Sequence, residues 1–203
     1  MRSVAADVRS RVARSRKGTF FAVTDYPVEK RAAVEVAFSR LVADEKVFRV
    51  RRGLYWKGGN SRFGVVMPSS SAVFSRVARG KGYGPTGWTA GHALGLTDQV
   101  PARPSYVVVG AVPAGVDGVR ISSRSNLARL ELEPLEVGLL EVLREYPRHV
   151  DTGWERLVDR VRELAASDEI RLERVTKAAE TERSPRLREC LGALQRQLLP
   201  EAV

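Results

Sequence analysis

Residues 30–57 read KRAAVEVAFSRLVADEKVFRVRRGLYWK, and two periodicities meet inside this stretch. From Lys30 to Ala43, Val34, Ala37 or Phe38, and Leu41 recur at three- and four-residue spacing, which gathers apolar side chains on one face of a helix. Asp44, Glu45 and Lys46 break that period with a polar turn. Alternation follows, with Val47, Arg49 and Arg51 on one side of an extended segment and Phe48, Val50 and Arg52 on the other. Gly53 then turns the chain into Leu54-Tyr55-Trp56-Lys57. A helix followed at once by a short arginine-rich hairpin is the outline of a recognition helix and its wing. DNA binding is therefore the first functional expectation.

The residues upstream extend this outline. Ser3 to Arg16 predicts a helix, with Ser3 as N-cap, Val4, Val8 and Val12 repeating every four residues, and Gly18 as terminator. Its other face, with Arg9, Arg11, Arg14 and Arg16, reads as solvated, although Arg14, Arg16 and Lys17 lie close enough to the turn to touch a phosphate. Thr19 to Val23 is short, aromatic and β-branched, which suits a brief strand. Thr24 and Asp25 are capping residues, and Tyr26-Pro27 limits any helix there to a turn. Helix, strand, turn, recognition helix and two-stranded wing are the elements of a winged helix-turn-helix over residues 1–62. Its expected core is Val8, Val12, Phe20, Val34, Phe38, Leu41, Val50 and Tyr55.

The candidate DNA contacts are Lys30, Arg31, Ser39 and Arg40 on the helix and Arg49, Arg51, Arg52 and Lys57 on the wing. Residues near the N-terminus of a recognition helix reach base edges, and Arg reads guanine through paired hydrogen bonds. Wing cations hold phosphates or enter the minor groove. The charge distribution agrees. Residues 1–62 hold 15 Lys/Arg against 6 Asp/Glu, residues 63–132 hold 7 against 3, and residues 133–203 hold 12 against 15, within a net charge of +10. A positive end of the chain is what a phosphate-binding module requires.

Other classes find little support. No apolar run approaches the roughly 20 residues of a membrane span, the N-terminus lacks a secretory apolar core, and one cysteine, Cys190, excludes an intrachain disulfide and a multi-cysteine zinc site. No membrane association, no metal and no cofactor are expected, and the default location is cytoplasmic. The glycines of KGYGPTG, from Lys81 to Gly87, lack the Gly-Lys-Ser/Thr ending of a nucleotide-binding loop and read as turns. His92 and His149 have no nucleophile or carboxylate at a recognised spacing and read as structural. Clustered acids that would hold a catalytic metal are missing from the basic half, so an enzyme, such as a nuclease, ranks last.

Residues 57–69, KGGNSRFGVVMPS, read as a connection with the domain boundary near 62/63, leaving 63–203 as a second domain. There, Ser69 to Arg79 predicts a helix, Pro85-Thr86-Gly87 caps another from Trp88 to Leu94, and Tyr106 to Val112 is a buried strand. Val119 to Ser123 is expected to form a hairpin with it across Gly115 to Gly118, and Leu127, Leu130 and Leu132 to begin a further strand. Four helices follow, opening near Pro134, Asp151, Ile170 and Ser184, with Cys190 on the last apolar face. The expected fold class is α+β: a winged helix-turn-helix, then a mixed α/β domain ending in a helical region.

Three segments also carry a family likeness: AFSRL through RVRRGLYW (Ala37 to Trp56), YGPTGWTAGHALGLTDQVPARPSYVVVG (Tyr83 to Gly110) and SPRLRECLGAL (Ser184 to Leu194). In these the chain resembles the AbiEi-like antitoxins of bacterial type IV toxin–antitoxin systems. The resemblance implies a winged-helix domain that binds inverted repeats of double-stranded DNA in its own promoter and represses the operon. It also implies a C-terminal antitoxin domain that counteracts a nucleotidyltransferase-like toxin. Repressors that read two half-sites dimerise on DNA, so a dimer is a further expectation. The alternative is an antitoxin that neutralises its partner by direct protein binding, with the winged helix used for docking.

Overall fold

A computed structural model describes residues 3–62 and 64–198. The chain is mixed α+β and divides into two compact units, Met1–Arg76 and Val77–Val203.

The first unit begins with α1 (Val4–Arg14), whose Ser3 Oγ accepts from the Ala6 amide. It continues with β1 (Thr19–Ala22), two single-turn 3₁₀ segments (Val23–Asp25 and Val28–Lys30), α2 (Arg31–Ala43), β2 (Phe48–Arg51) and β3 (Leu54–Lys57). The three strands form an antiparallel sheet in the order β1-β3-β2. Gly53 turns β2 into β3 at a φ of +71°, and the β2–β3 register shifts between Arg49 and Arg51.

The core of this unit is Val8, Val12, Phe21, Val23, Val34, Ala37, Phe38, Leu41, Val47 and Tyr55, with the Phe38 and Tyr55 rings stacked at 4.4 Å. Two expected core residues are displaced along their strands. Phe21 pairs with Tyr55 and faces inward, so Phe20, paired with Trp56, faces the other side of the sheet and packs on the indole at 4.5 Å. Val47, not Val50, is fully buried. A strand changes face at every residue, so a shift by an odd number of residues, one at Phe20/Phe21 and three at Val47/Val50, exchanges core for surface.

The stretch read as a connection instead holds a small hairpin, β4 (Gly59–Ser61) against β5 (Gly64–Val66), followed by α3 (Ser70–Ala78). Trp56 Nε1 donates to Val66 O at 3.1 Å, and Arg76 pairs with Asp25 at 2.6 Å. These bonds tie residues 64–76 to the first unit. The boundary therefore falls after Arg76, inside α3, and not near 62/63.

The second unit contains β6 (Gly84–Pro85), α4 (Trp88–Ala93), β7 (Ser105–Val109), β8 (Arg120–Arg124), a 3₁₀ segment (Leu127–Glu131), α5 (Pro134–Glu145), α6 (Gly153–Ala166), α7 (Leu172–Glu180) and α8 (Pro185–Leu198). The expected hairpin of Tyr106–Val112 with Val119–Ser123 is not formed. β7 and β8 run parallel in a sheet of order β6-β7-β8. The loop between them doubles back, with Gly110, Gly115 and Gly118 at positive φ, and the Gly110 amide donates to Arg124 O at 3.0 Å. The expected strand at Leu127 is the 3₁₀ segment, because Asn126 Oδ1 caps it by accepting from the Ala128 amide at 3.0 Å. Leu139, Leu140, Leu143, Leu157, Leu164, Val175, Leu187 and Leu194 are fully buried between the four long helices. Gly91 has no room for a side chain: a Cβ there would stand 2.2 Å from His149 O. Among the described residues, no helix is long and apolar enough to cross a membrane.

Candidate nucleic-acid interface

With the boundary at Arg76, charge separates completely. Residues 1–76 hold 16 Lys/Arg against 6 Asp/Glu, and residues 77–203 hold 18 against 18, so the whole net charge of +10 belongs to the first unit.

In that unit α2 buries Val34, Ala37, Phe38 and Leu41 and exposes the opposite side. At about 100° per residue, the outermost ridge is Ala32, Val36, Ser39 and Ala43. Val36 is 53% exposed, and Val28, in the 3₁₀ segment just before α2, is 71% exposed. The middle of the open face is thus small and apolar, with its cations at the margins.

Arg31 and Arg40, nine residues apart, lie about 180° apart around the helix. Arg31 is half-buried and its Nε donates to Tyr26 O at 3.2 Å. Arg40 is exposed on the α1 side, where it lines a cleft of about 190 Å³ with Ala5, Arg9, Ala37, Leu41 and Asp44. Ser39 Oγ donates to Glu35 O of its own helix at 2.9 Å. Lys30, at the entrance to α2, is exposed.

The β2–β3 hairpin supplies the opposite margin. Arg49 pairs across the ladder with Tyr55, placing it on the sheet face toward α2. Burial pushes the Tyr55 hydroxyl above its ordinary value, the Arg49 charge pulls it down, and Glu35 pushes it up. The charges of Arg49 and Glu35 therefore both act on this hydroxyl, between the β2–β3 hairpin and α2. Arg52 is exposed at the turn. Arg51 is half-buried, with Nη1 enclosed and without a hydrogen-bond partner among the described residues.

Lys57 leaves the candidate set. Its Nζ donates to Val12 O at 2.6 Å, Ala13 O at 3.1 Å and Ser15 O at 2.6 Å. An ammonium has three donors, and all three serve carbonyls at the end of α1, where those of Ala13 and Ser15 lie beyond the last helical amides and Val12 O also accepts from the Ser15 amide at 3.3 Å. Phosphate has no donor left to meet. Lys57 reads as a basic wing residue in sequence, yet β3 runs along the end of α1, and only the packing puts the two together.

Two residues outside the expected set stand beside it. Arg9 joins Arg40 across the α1–α2 cleft, and the Arg11 guanidinium lies 5.2 Å from the Tyr26 ring centroid, within cation–π range. Arg9 was legible only as part of a solvated face, since nothing local indicates that α2 packs alongside it.

Residues 7–125 match DUF6088, a family of unknown function. No curated protein matches. Among solved structures, the crystal structure of the RV2827C protein from Mycobacterium tuberculosis is similar at 16% identity and a TM-score of 0.48, covering 98% of this chain and 82% of that one. The family match spans more than half of the chain, which therefore belongs to DUF6088.

Proposed function

We propose that this DUF6088 member is a DNA-binding autorepressor whose first unit is a winged helix-turn-helix. On this reading α2 enters the major groove, Arg49, Arg51 and Arg52 form the basic edge of the wing, and Lys30 and Arg40 flank the helix. The observation that carries the reading is the α1-β1-α2-β2-β3 order, with the sheet order β1-β3-β2, in the unit that holds the entire +10 charge. Ala32 and Val36 on the ridge suit thymine methyl groups, which small apolar side chains touch in the major groove. The likeness to AbiEi antitoxins adds the operon's own promoter as target, as inverted repeats read by a dimer. It also adds a toxin-opposing role, against a nucleotidyltransferase-like toxin, for the second unit.

Fluorescence anisotropy with the promoter duplex tests this. Arg49→Glu with Arg52→Glu is expected to weaken binding strongly and to lower the dependence on salt by about 0.9 for each phosphate no longer neutralised. Unchanged affinity and salt slope would remove the wing from the interface.

A second reading rests on the same ridge. Val28, Ala32 and Val36 form an exposed apolar line, which equally suits a protein partner, so that the winged helix docks and does not read DNA. Val36→Asp separates the two: retained partner capture with abolished DNA binding favours the DNA interface, and the reverse favours docking.

A further inference from the structure

The second unit carries no net charge, yet one place in it concentrates positive charge. At its centre, Arg129 is fully buried and bonds two buried carboxylates, through Nη1 to Glu141 Oε1 and through Nε to Glu182 Oε1, both at 2.6 Å. Arg124 holds Glu141 through Nε at 3.0 Å and Nη2 at 2.5 Å. Thr86 donates to Glu141 at 2.9 Å, Asn126 Nδ2 to Glu182 at 2.8 Å, and Arg144 Nη2 also bonds Glu182. Burial pushes both carboxyls up, but their arginine partners outweigh it and hold them below the ordinary range. Both glutamates are therefore ionised, and three guanidinium groups face two carboxylates.

This surplus borders a cavity of about 530 Å³ lined by Ser123, Arg124, Ser125, Arg144, Thr181 and Arg183, among others. Arg183 is exposed there and forms no ion pair among the described residues. The only carboxylate lining the cavity among the described residues is Glu182, already held by Arg129, Asn126 and Arg144. Glu145, which also bears on Arg124, does not line it and turns to His149 Nδ1 at 3.3 Å. Donors remain available. The Ser123 and Ser125 hydroxyls and the Arg183 guanidinium, all on the cavity lining, make no hydrogen bond among the described residues, whereas Arg144 Nε is enclosed 3.7 Å from Glu141 Oε1. The cavity also lies just past the last residue of β8, which runs parallel to β7. The carboxyl ends of parallel strands are the usual ligand position in open α/β sheets.

We infer that this cavity is a phosphate-monoester site, formed by Arg124, Arg144 and Arg183 with the Ser123 and Ser125 hydroxyls. Three guanidinium groups, Arg124, Arg144 and Arg183, line the cavity against the single lining carboxylate among the described residues, that of Glu182, a positive surface suited to the charge of about −1.5 to −2 that a phosphate monoester carries near neutral pH. Guanidinium forks favour phosphate through paired hydrogen bonds. The volume exceeds that of an inorganic phosphate and lies in the range of small-molecule sites. Leu127, 70% exposed on the rim, offers an apolar surface to an organic moiety. None of this depends on the DNA-binding reading of the first unit.

Calorimetric titration of the full chain at constant ionic strength tests the site with inorganic phosphate, a nucleoside 5′-monophosphate and acetate. The expected result is saturable binding of a phosphate ligand that acetate does not reproduce. Arg183→Glu should weaken it by about tenfold or more, the size of one charge-assisted hydrogen bond, with an unchanged thermal midpoint in the absence of ligand. Arg144→Lys, which keeps the charge and removes the fork, should weaken it as well. Tighter binding of the mononucleotide identifies a nucleotide as the source of the phosphate, and equal binding identifies phosphate itself. No saturable binding of either phosphate ligand, equal affinity for acetate, or indifference to both substitutions would overturn the assignment.

Discussion

The two units use the same residue type in opposite ways. In the first, Lys30, Arg40, Arg49 and Arg52 stand at the surface around an open helix, and the surplus charge has no internal counterpart. In the second, Lys/Arg and Asp/Glu balance, and Arg129 lies fully buried between Glu141 and Glu182. An exposed cation is held weakly and remains available to a partner. A buried one persists only when its neighbours are ionised and hydrogen-bonded to it. Arg40, Arg49 and Arg52 of the first unit are exposed, whereas Arg129 of the second is structural.

The most severe way to break this contrast is Arg129→Leu. It leaves two buried carboxylates with fewer cations and should cost the second unit about 3–5 kcal/mol, read by urea unfolding, with DNA affinity unchanged. A decrease under about 1 kcal/mol would mean that the network is incidental. Arg49→Glu with Arg52→Glu should do the reverse, leaving unfolding within about 0.5 kcal/mol while weakening DNA binding.

Lys57→Met sharpens the first half of the comparison. Its head bonds three carbonyls at the end of α1, so the expected effect is a stability decrease of about 1–3 kcal/mol, with the salt slope of DNA binding unaltered. A changed slope with unchanged stability would return Lys57 to the DNA-facing residues.

The mildest test is pH. The folded carboxyls of Glu136, Glu141 and Glu182 sit below their ordinary value of 4.5. Groups with depressed folded values contribute stability that is present above the unfolded value and disappears as pH falls through the folded one. Thermal melts should therefore be flat around neutrality and decline only below about 4.5. A decline already near about pH 6 would indicate another titrating group, with histidine the first candidate.

Much of the local structure was legible. The three- and four-residue spacing of Val34, Phe38 and Leu41 placed α2, Ser3 marked the start of α1, and Gly53 located the turn between β2 and β3. Such features depend on neighbours a few residues away, which a sequence displays directly. Harder cases were those in which two conformations share one composition. Phe20 and Phe21 are both aromatic, and only pairing with Tyr55 decides which is buried. Val119–Ser123 suits a hairpin as well as a parallel strand, and a loop that doubles back leaves no periodic signal.

By itself the sequence determined that the chain is α+β, where most helices run and which end is positive, because periodicity and charge are properties of short segments. Tertiary structure alone decided that the boundary follows Arg76, that Lys57 caps α1, and that Arg9 of α1 stands beside Arg40 of α2. It also brought Arg124, Arg129 and Arg144 to Glu141 and Glu182, with Arg129 and Glu182 paired from 53 positions apart in the chain. Hydrogen bonds and ion pairs act over a few ångströms, and distance along the chain says nothing about them until packing has set which groups meet.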